Sequence, residues 1–264
     1  MVTFTRLRVA LLSIMFLSAE SALAVSTMGE AINEAGRQRM LSQKVAKAYF
    51  LGAIKPGSES AKRQLSESIK RFESNLSKLG AFPPARDLRP RLQRIDTQWQ
   101  QYTSLLNQPI SPLLATEVLK LSNEILKDAH QYVLELQAIA GTSTAELINI
   151  SGRQRMLTQR MTKNFLANFW DGQDLGSQSA FYLDLAEFEN ALQYLLESDE
   201  NTEEIRKKLL RVRGQLDYAS MAFEGGIKVK QDRIIFAVTG TTDSMLYKMD
   251  EITRLYSELS DTGN

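Results

Sequence analysis

A sixteen-residue segment written twice, 116 residues apart, constrains this chain more than any other feature. Ile32 to Lys47 reads INEAGRQRMLSQKVAK and Ile148 to Lys163 reads INISGRQRMLTQRMTK, with ten of the sixteen positions identical. One sharply retained segment inside two otherwise diverged halves indicates a single supersecondary unit duplicated. Each copy sits in a long stretch with apolar residues at three- and four-residue spacing. The pattern is plainest in Leu113, Leu114, Val118, Leu121, Ile125, Leu126, Ala129, Val133 and Leu136, the periodicity of an amphipathic helix.

Glycine and proline are confined to punctuation: KPGS (55–58), FPP (82–84), NQPISP (107–112), AGTST (140–144), DGQDLGS (171–177), SDENT (198–202) and EGG (224–226). These compositions form turns. Pro112 suits the first turn of a helix and Gly141 its C-terminal cap. The spacing predicts about four helices and then about four more. Ser122-Asn123-x-Ile125-Leu126 matches Thr242-Asp243-x-Met245-Leu246 at a slightly larger offset than the boxes. Units of about 115 residues with short loops indicate up-down bundles. The expected architecture is all-α: two tandem antiparallel four-helix-bundle units with long helices, over residues 25–143 and 144–264.

Residues 1–24 stand apart as an export signal. Arg6 and Arg8 precede the apolar run Val9 to Leu17, and Ala22-Leu23-Ala24 is an Ala-x-Ala site, so cleavage is expected after Ala24. The apolar run is too short to span a bilayer, as is Ile234 to Gly240. The mature chain is therefore expected free in the periplasm. Of 32 basic and 31 acidic residues, Arg6, Arg8 and Glu20 fall in the leader, leaving 30 of each. That balance argues against nucleic acid or an anionic membrane held by bulk charge. The absence of cysteine excludes thiol chemistry, Cys-ligated zinc, iron–sulfur clusters and covalent haem. No cofactor is expected. Nor is catalysis: the single histidine, His130, cannot furnish paired Glu-x-x-His motifs, and Lys127 stands where the glutamate would be. His130 also lacks a nucleophile elbow nearby. It reads as a helix-surface or partly buried residue.

On a helical wheel the repeated box separates its arginines. Ile32, Gly36, Arg39, Gln43, Ala46 and Phe50 fall on one stripe; Ile148, Gly152, Arg155, Gln159, Thr162 and Leu166 form the second. Arg37 and Arg153 face nearly the opposite way. A mid-helix glycine costs roughly 1 kcal/mol against alanine, and is tolerated where a partner helix or ligand approaches the backbone. If the box helices face each other, Arg39 and Arg155 converge. Two guanidinium groups at a packed seam repel unless an anion lies between them, and arginine is suited to clamp a small oxyanion. Arginines on long helices are also commonly solvated or paired with an acid. Gln43 and Gln159 could bond a ligand or tie one helix to another. Met40, Met156 and Met161 read as core filler, and Lys47 and Lys163 as surface residues.

The two boxes resemble the signature of the PilJ/NarX-type periplasmic sensor domain, the extracytoplasmic part of nitrate/nitrite sensor kinases and type IV pili chemotaxis transducers. The shared pattern is Gly-x-x-Arg-Met, then a polar and a further basic residue, met twice here. In nitrate-sensing relatives a four-helix domain dimerises. The box arginine, aided by backbone near the box glycine, holds one nitrate between paired first helices. The resemblance thus implies Arg39 with Gly36, and Arg155 with Gly152, as ligand-binding groups. Arg37 and Arg153 follow the box glycines where the nitrate kinases carry a small polar residue, which is closer to the PilJ-type version. Relatives continue into membrane, HAMP and signalling segments, whereas this chain stops. Two boxes in one polypeptide could form a pseudo-symmetric pair within the chain.

Two functions follow. The first is a periplasmic sensory module. It binds a small nitrate- or nitrite-like oxyanion through Gly36, Arg39, Gln43, Gly152, Arg155 and Gln159, and acts through a membrane-bound sensor kinase or chemotaxis transducer. The second is an interaction protein whose boxes mediate helix pairing or homodimerisation without ligand.

Overall fold

The computed structural model describes residues 24–171, 178–224 and 231–262. The expected leader up to Leu23, most of the DGQDLGS turn and the glycine pair of EGG lie outside these residues. The described chain is helical nearly throughout: α1 (Met28–Ile54), α2 (Glu59–Ala81), a 3₁₀ turn (Pro83–Leu88), α3 (Arg89–Leu106), α4 (Pro112–Ala140), α5 (Ser143–Asp171), α6 (Gln178–Glu197), α7 (Glu203–Glu224) and α8 (Gln231–Thr262).

Local chemistry sets the ends. The Thr27 hydroxyl accepts from the Glu30 amide at 3.1 Å, while the Glu30 carboxylate accepts from the Ser26 amide at 2.9 Å. This reciprocal pairing satisfies donors that a helix start leaves open. Ser111 caps α4 ahead of Pro112 at its first turn. Gly141 ends that helix at φ 64°, a left-handed conformation that glycine adopts without Cβ penalty. The chain then enters α5 after two residues, so α4 and α5 form a tight hairpin.

The box helices α1 and α5 are the centre of the molecule. α1 buries 19 of its 27 residues on all faces, whereas α2 buries 5 of 23 along one stripe. α1 and α5 run parallel, since Gly36 meets Gly152, Lys47 reaches Gln159, and the Phe50 and Trp170 rings lie 6.1 Å apart. α4 runs antiparallel along α1, with Gln43 bonded to the Ser122 carbonyl and Arg39 to His130. α8 runs antiparallel along α5, as Arg155 with Asp250 and Thr162 with Thr242 require. A pseudo-twofold axis between α1 and α5 relates the halves. Gln38 donates to the Phe72 carbonyl at 3.0 Å and Gln154 to the Phe188 carbonyl at 3.0 Å, each pair 116 residues from the other. Met40, Met156 and Met161 are buried core residues, as their placement in the box suggested.

Among the described residues, no helix is long and apolar enough to cross a membrane.

Candidate functional site

The site grows from the crossing of two glycines. A Cβ placed on Gly36 would lie 3.9 Å from the Gly152 Cα, 3.1 Å from Arg155 Nη2 and 3.3 Å from Arg39 Nη2. A Cβ on Gly152 would meet the same two nitrogens at 3.1 and 3.3 Å. Both guanidinium groups therefore lie over the glycine pair, in space that a side chain would occupy. Arg39 and Arg155 are each 0% exposed.

Their backbone partners repeat across the pseudo-twofold. Arg39 Nη2 donates to the Asn149 carbonyl at 3.1 Å, and Arg155 Nη2 donates to the Asn33 carbonyl at 3.1 Å. Their remaining partners do not repeat. Arg155 Nη1 donates to the Asp250 carboxylate at 2.5 Å. Arg39 Nη1 meets His130 Nδ1 at 3.1 Å and donates to Asn149 Oδ1 at 2.7 Å, all neutral acceptors. The Nε of each arginine is buried without a protein partner.

Electrostatics follow this split. Burial, then Arg153 and Arg155, push the Arg39 guanidinium well below its ordinary value. Burial lowers Arg155 to about 10, against the pull of Asp250. Burial pushes the Asp250 carboxyl up, but Arg155 and Arg37 outweigh it and hold the group below its ordinary value. His130 falls to about 4 through burial and the nearby Arg39 and Arg153. The Arg39 fork thus faces a neutral imidazole.

Gln43 and Gln159 lie one turn further on, fully buried. They tie helices together: Gln43 Nε2 donates to the Ser122 carbonyl at 2.8 Å, and Gln159 Nε2 to Asp243 at 3.2 Å. Gln43 Oε1 is buried without a protein partner.

Lys47 and Lys163 are not surface residues: they are 0% and 1% exposed. Eleven residues separate Gly36 from Lys47, close to three full helical turns, so the lysine returns to the glycine face of α1. Lys47 Nζ pairs with Asp243 and donates to Gln159 Oε1 at 3.3 Å. Lys163 Nζ donates to Asn123 Oδ1 at 2.8 Å. Burial lowers Lys47 and brings Lys163 to about 7.

Arg37 and Arg153, expected to face nearly opposite the glycine stripe, are held by acids close to the site, where Arg153 acts on Arg39 and Arg37 on Arg155. Arg37 pairs with Glu34 at 3.1 Å and with Asp250 at 3.1 Å, and Arg153 pairs with Glu187. Asp250 thereby links Arg37 of the first box to Arg155 of the second. His130 is half-buried, and its bond to Arg39 makes it part of the site. The sequence held a signal for Asn33 and Asn149, which are identical in both boxes. It held a weaker one for Asn123 and Asp243, which align in the later helices.

A family model, the type IV pili methyl-accepting chemotaxis transducer N-terminal domain (PilJ), matches residues 25–121 and 141–220. No curated protein and no solved structure matches the chain.

Proposed function

Since the chain belongs to the PilJ family of chemotaxis-transducer N-terminal domains through both of its halves, we propose that it is an exported sensory module for a small oxyanion. In this reading residues 1–24 direct it to the periplasm, and each half, 25–143 and 144–264, is one sensor unit. The ligand has the charge and shape of nitrate or nitrite and binds where the boxes cross. Arg39 and Arg155 supply donors, Gly36 and Gly152 supply close approach, and Gln43 and Gln159 line the next turn. A membrane-bound transducer or kinase reads the bound state.

One observation carries the reading. Two fully buried guanidinium groups meet over one glycine pair, both with an unpartnered Nε, and among the described residues only one is bonded to a carboxylate. Burying like charges together is costly unless a counter-charge and hydrogen bonds offset it. An oxyanion offers both to a planar donor fork. Because the boxes already pair within one chain, the seam needs no second copy.

The alternative, boxes that serve helix pairing alone, draws support from the terminal guanidinium nitrogens, which all have protein partners. Thermal denaturation in nitrate, nitrite, sulfate and chloride separates the two. A ligand that binds only the folded state raises the midpoint with its concentration. A selective rise with nitrate or nitrite is expected; equal or absent responses to all four anions favour the pairing role.

A further inference from the structure

The pseudo-twofold axis offers an internal template for what each buried cation requires. On the α8 side of the seam the chain supplies two carboxylates, Asp243 to Lys47 and Asp250 to Arg155. At the equivalent places on α4 stand Asn123, bonded to Lys163, and His130, bonded to Arg39. Both exchanges remove a negative charge, and both face the same feature. A groove of about 610 Å³ between α4, α5 and α6 is lined by Asn123 and His130 on one wall.

The remaining lining defines the chemistry of an occupant. Leu119, Leu126 and Leu183 give the groove an apolar flank, while Lys127, Arg153 and Arg160 bring positive charge. Arg160 is taken up by Asp184 in two bonds of 3.0 Å, and Arg153 by Glu187. Lys163, buried behind this lining, donates to the Asn123 amide oxygen, and the one carboxylate acting on it, Asp184, is already bonded to Arg160. A buried ammonium capped by an amide is undercompensated compared with one paired to a carboxylate. The volume far exceeds that of nitrate or nitrite, and the leucines suit carbon rather than water.

We infer that the groove between α4, α5 and α6 binds a small organic carboxylate. Its carboxylate group lies against the Asn123 side-chain amide above Lys163, and its carbon body lies along Leu126 toward His130. This site adjoins the glycine crossing at His130 but takes a different class of ligand, so neither proposal depends on the other.

The test uses the mature chain and calorimetric titration with succinate and glutarate, with nitrate titrated separately. Wild type should bind at least one diacid. Asn123→Asp places the chain's own carboxylate over Lys163 and should weaken diacid binding by about tenfold or more, while leaving the nitrate titration unchanged. Lys163→Met should lose the diacid as well. Asn123→Asp is expected to remain folded, since it recreates the Lys47–Asp243 pair, so the test stands even if Lys163→Met does not fold. Absence of diacid binding to wild type at millimolar concentration overturns the inference, as does binding that Asn123→Asp leaves unchanged.

Discussion

His130 and Asp250 hold the same position in the two halves of the molecule, each meeting the Nη1 of a buried box arginine, at 3.1 and 2.5 Å respectively. One is a neutral imidazole and the other a carboxylate already held by Arg37 as well. The seam is therefore symmetric in its backbone and asymmetric in its charge. Asp250 acts toward Arg155 as a built-in anion, whereas Arg39 is bonded to no carboxylate among the described residues.

That asymmetry predicts opposite effects of one substitution on stability and affinity. Asp250→Asn leaves Arg155 buried without a carboxylate and takes one acid from Arg37. Breaking a fully buried pair costs 3–5 kcal/mol, but Asp250 is 35% exposed, so a loss of about 1–3 kcal/mol is expected on denaturant unfolding. Nitrate should bind the variant more tightly, because the internal competitor for the Arg155 fork is gone. Unchanged stability would mean that the Arg155–Asp250 pair contributes little. Weaker nitrate binding would mean that Asp250 supports the ligand instead of competing with it.

Lys163 predicts a pH dependence with a definite sign. Its ammonium titrates at about 7 in the folded chain against an ordinary 10.5. Between those values the unfolded chain holds a proton that the folded chain has released, so raising the pH favours folding. Below about 7 both states are protonated and the full cost of the buried charge is present. Stability should therefore rise from pH 7 toward 10, by at most ~1.4 kcal/mol per unit from this group. Lys163→Met should flatten the part of the rise that belongs to it. A variant with the same slope as wild type would assign the dependence to other groups.

The glycine crossing makes a prediction in which local propensity and the site disagree. Alanine at Gly36 gains about 1 kcal/mol of helix propensity, but its methyl group meets two guanidinium nitrogens at 3.1 and 3.3 Å. These are held by the Asn149 and Asn33 carbonyls, so they yield by tenths of an ångström only at the expense of those bonds. The two effects oppose each other. Gly36→Ala and Gly152→Ala should each change folding stability by less than about 1 kcal/mol, while weakening nitrate binding several-fold or more. Alanine variants that bind nitrate as wild type does would remove the glycines from the ligand site.

Much of this arrangement was legible in the sequence. The wheel put Gly36 with Arg39 and Gly152 with Arg155 on facing stripes, and the punctuation residues Pro112 and Gly141 sit where helix-end chemistry places them. Lys47 and Lys163 read as surface residues by type, yet position decides: eleven residues from the glycine is the glycine's own face. His130, Asp250, Asn123 and Asp243 were harder to find. They lie on the last helix of each half, where the repeat spacing has grown by four residues, about one helical turn. Their chemical types also differ between the halves, so sequence likeness aligns Asn123 with Asp243 only weakly and does not pair His130 with Asp250. Only the packing of α4 on α1 and of α8 on α5 brings them to the arginines.

Identical residues in the two boxes need not contribute equally, and Asn33 and Asn149 supply the final prediction. Both are buried and both give a backbone carbonyl to the opposite arginine. Asn149 does more with its side chain. Its Oδ1 accepts from Arg39 Nη1 at 2.7 Å, and its Nδ2 donates to Gln137 Oε1 at 2.6 Å. Asn33 Oδ1 has no protein partner, since Asp250 already takes the Nη1 of Arg155. Truncation to alanine keeps both carbonyls, so only the side-chain bonds are lost. Asn149→Ala removes a hydrogen bond to a buried cation that has no carboxylate, which should cost about 1–3 kcal/mol. Asn33→Ala removes an oxygen with no partner and should cost under about 1 kcal/mol. Denaturant unfolding of the two variants side by side measures the difference, and equal losses would show that the charge asymmetry between Arg39 and Arg155 does not reach the folding equilibrium.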